Sequence, residues 1–349
     1  MSCVLAIESS CDDAGLAVFS SETGLLHEST RSQLGLHRRY GGVVPGLAVR
    51  EHLRSIPLLL EDLQKNGDRA YLQANGDVTP IDHLAVTTGP GLAASLAMGL
   101  QAAQALAAAW QKPLRGVHHL RGHLFSAWIP LFEREPASFF SRYPDFLPQL
   151  ALLVSGGHTL LLELETHWEL RVLAATVDDA AGEALDKGAK LLGLPYPGGP
   201  EIEKKALEGN PQAYDFPKAF TKAEDRKFSF SGLKTSLRYR LEKIPDEAFP
   251  SQLADLCASY QKAVVDTLCL KTRQVLLEKR FTSLALSGGV AANGLLQAEM
   301  AALAREFSIP LLRPHPRHTG DNAAMIAFAA LVDPAHTQAS PALEPYWKL

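Results

Sequence analysis

At 349 residues the chain is longer than one ordinary core organises, so two lobes of roughly 100–200 residues each are expected. Hydrophobic residues make up 46% and charged residues 21%, the make-up of a soluble globular protein, which excludes extended disorder and a membrane-spanning chain as starting points. The net charge of −4 gives no general attraction to nucleic acid, so any polyanion has to meet a local basic patch.

The opening Met1-Ser-Cys-Val-Leu-Ala-Ile has no basic segment before its apolar run, and Glu8 ends that run too early for a signal peptide; a cytoplasmic protein without membrane association is expected. Cys3, Cys11, Cys257 and Cys269 are scattered, with no Cys-x-x-Cys pair, and read as reduced thiols. Residues 4–7 lead through the turn-rich Glu8-Ser9-Ser10-Cys11-Asp12-Asp13-Ala14-Gly15 into a second apolar run at 16–19, the pattern of a β-hairpin around a polar loop. Residues 83–86 then pass through Thr88-Gly89-Pro90-Gly91 into an alanine- and leucine-rich helix over 93–110. The same order returns later. Residues 150–154, Ser155-Gly156-Gly157-His158-Thr159 and residues 160–164 repeat the hairpin, and residues 283–286 pass through Ser287-Gly288-Gly289-Val290 into a helical run over 291–307. This order predicts duplicated α/β lobes with a ligand cleft between them. The alternative is two unrelated α/β units whose order coincides.

The sharpest chemical feature is His118-His119-Leu120-Arg121-Gly122-His123, in which His119 and His123 stand four apart and project from one face of a helix. Two imidazoles and one carboxylate make a set suited to catalytic iron or zinc. Asp321, in Thr319-Gly320-Asp321-Asn322-Ala323 after a loop containing His315 and His318, is the candidate acid; its competing role is that of a helix N-cap.

The turns Ser155-Gly156-Gly157 and Ser287-Gly288-Gly289 lack side chains that would block a phosphate, although each alone is more often just a tight turn. Between them, Asp179, Glu183 and Asp186 fall on one predicted helical face, where a ligand hydroxyl or amine would offset their repulsion, although a solvated acidic face is the commoner explanation. Residues 218–243 carry eight basic residues against three acidic ones, with Phe220, Phe228, Phe230 and Tyr239 interleaved, a composition able to meet phosphates and stack on bases or to form a solvated helix face over core aromatics.

These blocks together resemble the TsaD family of tRNA-modifying enzymes, nearly end to end. The segments that carry the resemblance include Leu5-Ala-Ile-Glu-Ser-Ser-Cys-Asp-Asp13, Tyr40-Gly-Gly-Val-Val-Pro45, Val117-His-His-Leu-Arg-Gly-His123, Leu153-Val-Ser-Gly-Gly-His-Thr159, Phe228-Ser-Phe-Ser-Gly-Leu-Lys-Thr235, Ser287-Gly-Gly-Val-Ala-Ala-Asn293 and Asp321-Asn-Ala-Ala-Met-Ile-Ala327. The resemblance implies a duplicated actin-like, two-lobed α/β fold with a central cleft: an N-terminal lobe over 1–117, completed by a C-terminal helix at about 322–349, and a second lobe over 118–321. It implies an acyltransferase that moves a threonylcarbamoyl group from threonylcarbamoyl-AMP to N6 of the adenosine 3′ to the anticodon in tRNAs reading ANN codons. It makes His119, His123 and Asp321 ligands of one Fe2+ or Zn2+ per subunit, with Mg2+ accompanying bound nucleotide. Leu153, Val154, Ser155, Gly156, Gly157, Asp186, Gly199 and Asn293 then hold the adenylate, and Asp12 and Asp13 lie beside the reaction centre. Its implied protein partners are TsaB-like and TsaE-like subunits. The chain departs from the family pattern at Arg121 and Gly46, where Glu is usual, at Ala14 in place of Thr, and at Glu203 in place of Asp. A kinase or ATPase on the same scaffold and a non-enzymatic member of a tRNA-modifying assembly are the alternatives; a metallopeptidase is disfavoured because Leu120 stands where His-Glu-x-x-His needs its glutamate.

Overall fold

The computed structural model describes residues 2–66 and 81–349. The chain opens with β1 (Cys3–Glu8), β2 (Asp13–Ser20) and β3 (Gly24–Ser32), then α1 (Leu34–His37), α2 (Pro45–Asn66), β4 (His83–Gly89), α3 (Ala93–Trp110), β5 (Leu114–His118), α4 (His119–Ser126), α5 (Ile129–Arg134) and α6 (Pro136–Arg142). It continues with β6 (Gln149–Val154), β7 (Thr159–Leu164), β8 (Leu170–Thr176), α7 (Ala181–Leu191), α8 (Gly198–Ala206), β9 (Lys227–Phe228), α9 (Ser231–Leu241) and α10 (Phe249–Glu278). The last elements are β10 (Ser283–Ser287), α11 (Gly294–Glu306), β11 (Leu311–Leu312) and α12 (Ala323–Val332). Two compact units result: Met1–Tyr143 with Arg313–Leu349, and Pro144–Leu312.

Each unit is built on one sheet, and the strand orders match. The first is β3-β2-β1-β4-β5, and the second contains β8-β7-β6-β10-β11 with β9 added beyond β8. In both, the unit's first strand is central, antiparallel to its hairpin partner and parallel to the strand after the crossover. The duplication expected from the sequence is therefore present in the pairing itself. Strands β3, β5, β8 and β11 add to the two hairpins and two strand-turn-helix segments legible in the sequence.

In the first unit the alternation of β1 decides what meets the functional helix. Cys3, Leu5 and Ile7 join Leu59, Leu63 and Leu100 in one buried cluster. With a side-chain period of two, Val4, Ala6 and Glu8 face the other side of the sheet, where α12 packs on β1, β2 and α4. A ring cluster of Phe19, Phe132, Phe139 and Phe328 fills this side. In the second unit α7 and α8 pack against α10. The Tyr260 hydroxyl donates to the Ala184 carbonyl at 2.9 Å, and the Tyr260 ring fills the space that a side chain at position 188 would need, so Gly188 lets the helices approach.

The helical run expected over 291–307 begins later. Residues Gly289–Ala292 form a 3-10 turn, and Asn293 caps α11 by accepting from the Leu296 N–H at 3.0 Å.

Candidate metal centre and glycine-loop site

β5 delivers the chain directly into α4, so both histidines sit within two turns of the sheet edge. His118 caps α4, its Nδ1 accepting from the Leu120 N–H at 3.1 Å, which leaves His119 and His123 as the pair on one helical face. Their ring centroids are 4.7 Å apart. Asp321 is not the N-cap of α12. That role belongs to Asn322, whose Oδ1 accepts from the Met325 N–H at 2.9 Å, and the Asp321 carboxylate turns to the histidines. His315 and His318 are engaged elsewhere, His315 with the Arg317 N–H and His318 with Glu28.

Asp321 Oδ1 lies 3.0 Å from His123 Nε2 and 3.5 Å from His119 Nε2. Donor atoms of all three residues fall within 4.8 Å of one another. Adjacent ligands at roughly 2.0–2.2 Å from a shared ion stand about 3.0–3.5 Å apart in octahedral or tetrahedral geometry, so the spacing fits a single metal with two nitrogen donors and one oxygen donor.

The electrostatics also favour a cation. Burial opposes a charge on His119, but the Asp321 and Glu8 carboxylates beside it pull the imidazole up to about 9. Glu8 is likewise opposed by burial, and His119 with the Ser10 N–H keeps its carboxyl below the ordinary range. Asp13 is pushed up to about 6 by burial, to which Asp12, Asp321 and Glu8 add against a hydrogen bond from Ser32. Burial raises the neighbouring Cys11 thiol, with Asp12 and Asp321 adding to the effect. An excess of carboxylates around two imidazoles is a place where a divalent ion relieves repulsion.

Arg121, flanked by the two histidines, does not join them. Its guanidinium forms an ion pair with Asp333, a carboxylate that also meets His336 Nδ1 at 2.6 Å. Burial raises Asp333 despite Arg121 and His336. Glu203 accepts at 2.7 Å from the N–H of Gly294, the first residue of α11. Ala14 is buried in the sheet, while nothing lies within 4 Å of where a side chain at Gly46 would start.

In the second unit the expected substrate residues gather where β6 and β10 end. Leu153 and Val154 are buried strand residues, Leu153 paired with both β7 and β10, so only the loop beyond them is open. Gly156 and Gly157 face empty space. Gly288, at φ +90°, packs against the Val154 carbonyl where any side chain would collide, joining the two glycine turns. Asp186, on α7, accepts from the N–H groups of Gly198 at 2.7 Å and Gly199 at 3.4 Å. Its carboxyl is raised by burial, against those two bonds. Asn293 Nδ2 donates to Gln261 Oε1 at 3.2 Å while its Oδ1 caps α11, which leaves one Nδ2 hydrogen for another acceptor.

The acidic face expected over 179–186 resolves differently. Asp179 precedes α7, and Lys187 bridges it at 2.6 Å and Glu183 at 2.9 Å, so a lysine of the chain offsets the repulsion. Asp178 anchors the start of α9 through the Phe230 N–H at 2.8 Å. The aromatic residues of the basic segment divide as well. Phe228 and Phe230 belong to the core, whereas Tyr239 is 58% exposed beside an open hollow of about 480 Å3 lined by Gly232, Thr235, Ser236, Tyr239, Arg240 and Lys243. Lys218, Arg226 and Arg238 are paired with acids.

The residue that motif and spacing passed over is Glu8. It lay in plain view as a charge closing an apolar strand, the signal that a buried carboxylate has a partner.

Comparison with known proteins identifies the family. The family model for TsaD, tRNA N6-adenosine threonylcarbamoyltransferase, matches residues 24–328. A tRNA N6-adenosine threonylcarbamoyltransferase of Anaeromyxobacter dehalogenans (strain 2CP-1 / ATCC BAA-258) is 45% identical over 354 residues, covering 100% of both chains. One from Anaeromyxobacter sp. (strain Fw109-5) is 45% identical over 352 residues and 99% of both. Among solved structures, HypF of T. kodakarensis has a TM-score of 0.58 at 16% identity, over 95% of this chain and 47% of that one. A ROK family protein from Streptococcus pneumoniae TIGR4 has a TM-score of 0.51 at 11% identity, over 95% and 97%. Those two likenesses show the fold, a duplicated α/β architecture of the actin-like kind. With a family match across most of its length and full-length relatives at this identity, the chain belongs to the TsaD family of tRNA N6-adenosine threonylcarbamoyltransferases.

Proposed function

We propose that this chain transfers the threonylcarbamoyl group of threonylcarbamoyl-AMP to N6 of the adenosine 3′ to the anticodon in tRNAs reading ANN codons. The observation that carries this reading, beside family membership, is the convergence of His119, His123 and Asp321 on one point. Those side chains would hold one Fe2+ or Zn2+, whose chemistry there is Lewis-acid polarisation of an acyl carbonyl.

The remaining roles fall to the chain's own residues. The glycine loop Ser155-Gly156-Gly157, following Leu153 and Val154, offers unobstructed backbone to the adenylate, with the Asp186 carboxylate and Gly199 at the start of α8 and Asn293 at the start of α11; a Mg2+ would accompany nucleotide phosphates. In the transfer the adenosine N6 forms a bond to the acyl carbon, the bond from that carbon to the phosphate oxygen breaks, and AMP leaves with the electron pair. The amine proton passes to the carboxylate of Asp12 or Asp13. With its carboxyl near 6, Asp13 is matched to accept a proton close to neutral pH.

TsaB-like and TsaE-like subunits are the protein partners this reading requires. A tRNA substrate places the reaction in the cytoplasm, and no helix among the described residues is long and apolar enough to cross a membrane. The test is reconstitution: the chain, TsaB-like and TsaE-like partners, threonylcarbamoyl-AMP and unmodified tRNA, with the nucleoside product weighed by mass spectrometry. Appearance of N6-threonylcarbamoyladenosine only when the chain is present supports the reading. Consumption of ATP with no modified nucleoside would favour a kinase or ATPase instead.

A further inference from the structure

Glu8 is 0% exposed, and no lysine or arginine pairs with it among the described residues. An ionised carboxylate so placed is costly unless hydrogen bonds and a counter-charge offset the loss of water. Its partners are specific. Oε1 accepts from the Ser10 N–H at 2.6 Å, Oε2 accepts from the Thr87 hydroxyl, and the same Oε2 stands 3.4 Å from His119 Nδ1. The neighbouring strand β4 and the loop after β1 therefore fix the carboxylate, and the carboxylate faces the ring nitrogen remote from Asp321. His123 has no counterpart: its Nδ1 is buried without a hydrogen-bond partner among the described residues.

We propose that Glu8 is a positioning residue for the metal centre, holding the His119 ring by its Nδ1–H and so presenting Nε2 to the ion. Glu8 acts through His119 and is not itself a ligand, because Oε2 lies on Nδ1, on the far side of the ring from the donor cluster. A carboxylate behind a ligating imidazole fixes the tautomer and the orientation of the ring and raises its basicity. The parity of β1 makes this possible, since Glu8 must share the face of Val4 and Ala6 to reach α4. The inference rests on the metal reading above.

The test titrates Zn2+ into metal-free full-length protein, as wild type, Glu8→Gln, Glu8→Ala and Thr87→Val, with circular dichroism and melting to establish folding. Wild type is expected to bind one ion. Glu8→Ala should bind about 10–100-fold more weakly, and Glu8→Gln should recover part of that loss because its amide oxygen still accepts from Nδ1–H. Thr87→Val should fall between Glu8→Gln and wild type. Folded Glu8 variants that bind Zn2+ within about threefold of wild type would overturn the proposal while leaving the three-ligand site standing. Failure of the wild type itself to bind Zn2+ would instead overturn the metal reading and this inference with it. Because a buried variant can fail to fold, a second measurement uses wild type alone. In the zinc-loaded protein, 15N NMR should show His119 protonated at Nδ1 and ligated at Nε2; ligation through Nδ1 contradicts the proposal.

Discussion

Replacing Asp333 with Ala should cost stability far out of proportion to its size. The side chain of Arg121 is 11% exposed and that of Asp333 3%, so the substitution takes a carboxylate away from a guanidinium that water barely reaches and also removes a partner of His336. Breaking one side of a buried pair costs about 3–5 kcal/mol. At about 2–4 °C per kcal/mol for units of this size, the melting temperature should fall by roughly 6–20 °C. The pair itself is not expected to be strongly stabilising, since burial already holds the Asp333 carboxyl above its ordinary range. A double variant, Arg121→Met with Asp333→Leu, should therefore regain most of the loss, ending within about 1.5 kcal/mol of wild type. The assay is urea unfolding of wild type and Asp333→Ala, and of Arg121→Met, Asp333→Leu and their double variant, which close a cycle with wild type, with Zn2+ titration alongside. Zinc affinity of the folded double variant should stay within a few-fold of wild type, because Arg121 is neutralised away from the ligands. A single variant that loses less than about 1 kcal/mol, or a double variant as unstable as the single ones, would refute the reasoning.

Other consequences are as direct. Asp13 should titrate near 6 in metal-free protein; because the native state holds that proton more tightly than the unfolded chain, its contribution to stability declines as pH rises from about 4 to about 6. Asp13→Asn should then stabilise metal-free protein by about 2 kcal/mol at a pH of about 7.5 and hardly at about 4, measured by urea midpoints, and binding a divalent ion should move the wild-type titration downward, read by carboxyl NMR. Gly288→Ala, at φ +90° against the Val154 carbonyl, should destabilise by about 1–3 kcal/mol, whereas Gly156→Ala, in open space, should leave the melting temperature unchanged and weaken adenylate binding. Removing the charge of Lys243, which lines the hollow together with Tyr239, should lower tRNA affinity and reduce the salt slope by about 1 for each phosphate no longer neutralised; an unchanged slope would place the tRNA elsewhere.

Local patterning made much of the scaffold legible. The apolar runs that became β1, β2, β6 and β7, and the helix Ala93–Trp110, lie where residue spacing puts them, because buried strands and alanine-rich helices declare themselves within a few residues. Strands such as β11, only Leu311–Leu312, owe their state to pairing with β10 and have no local signature. At the site, spacing alone brings His119 and His123 together, but it cannot reach Asp321, 198 residues beyond His123, which local pattern offers only as a candidate acid and the resemblance makes a ligand. Asn322 shows why spacing leaves the capping role of Asp321 open: either residue has a side chain able to cap α12, and the backbone chooses. For the acidic run, a lysine of the chain rather than a ligand supplies the counter-charge, since Lys187 lies one helical turn beyond Glu183. For Phe228 and Phe230 the sequence leaves base stacking and a core role equally open, because a basic segment hides how its aromatic rings turn inward.

The most direct measurement of the central claim determines bound metal and threonylcarbamoyl transfer on the same samples of wild type, His119→Ala and Asp321→Ala, each shown to be folded. Wild type should retain about one ion per chain and form the modified nucleoside, and both variants should lose metal and transfer together. A folded variant that carries no metal yet transfers at the wild-type rate would contradict the account.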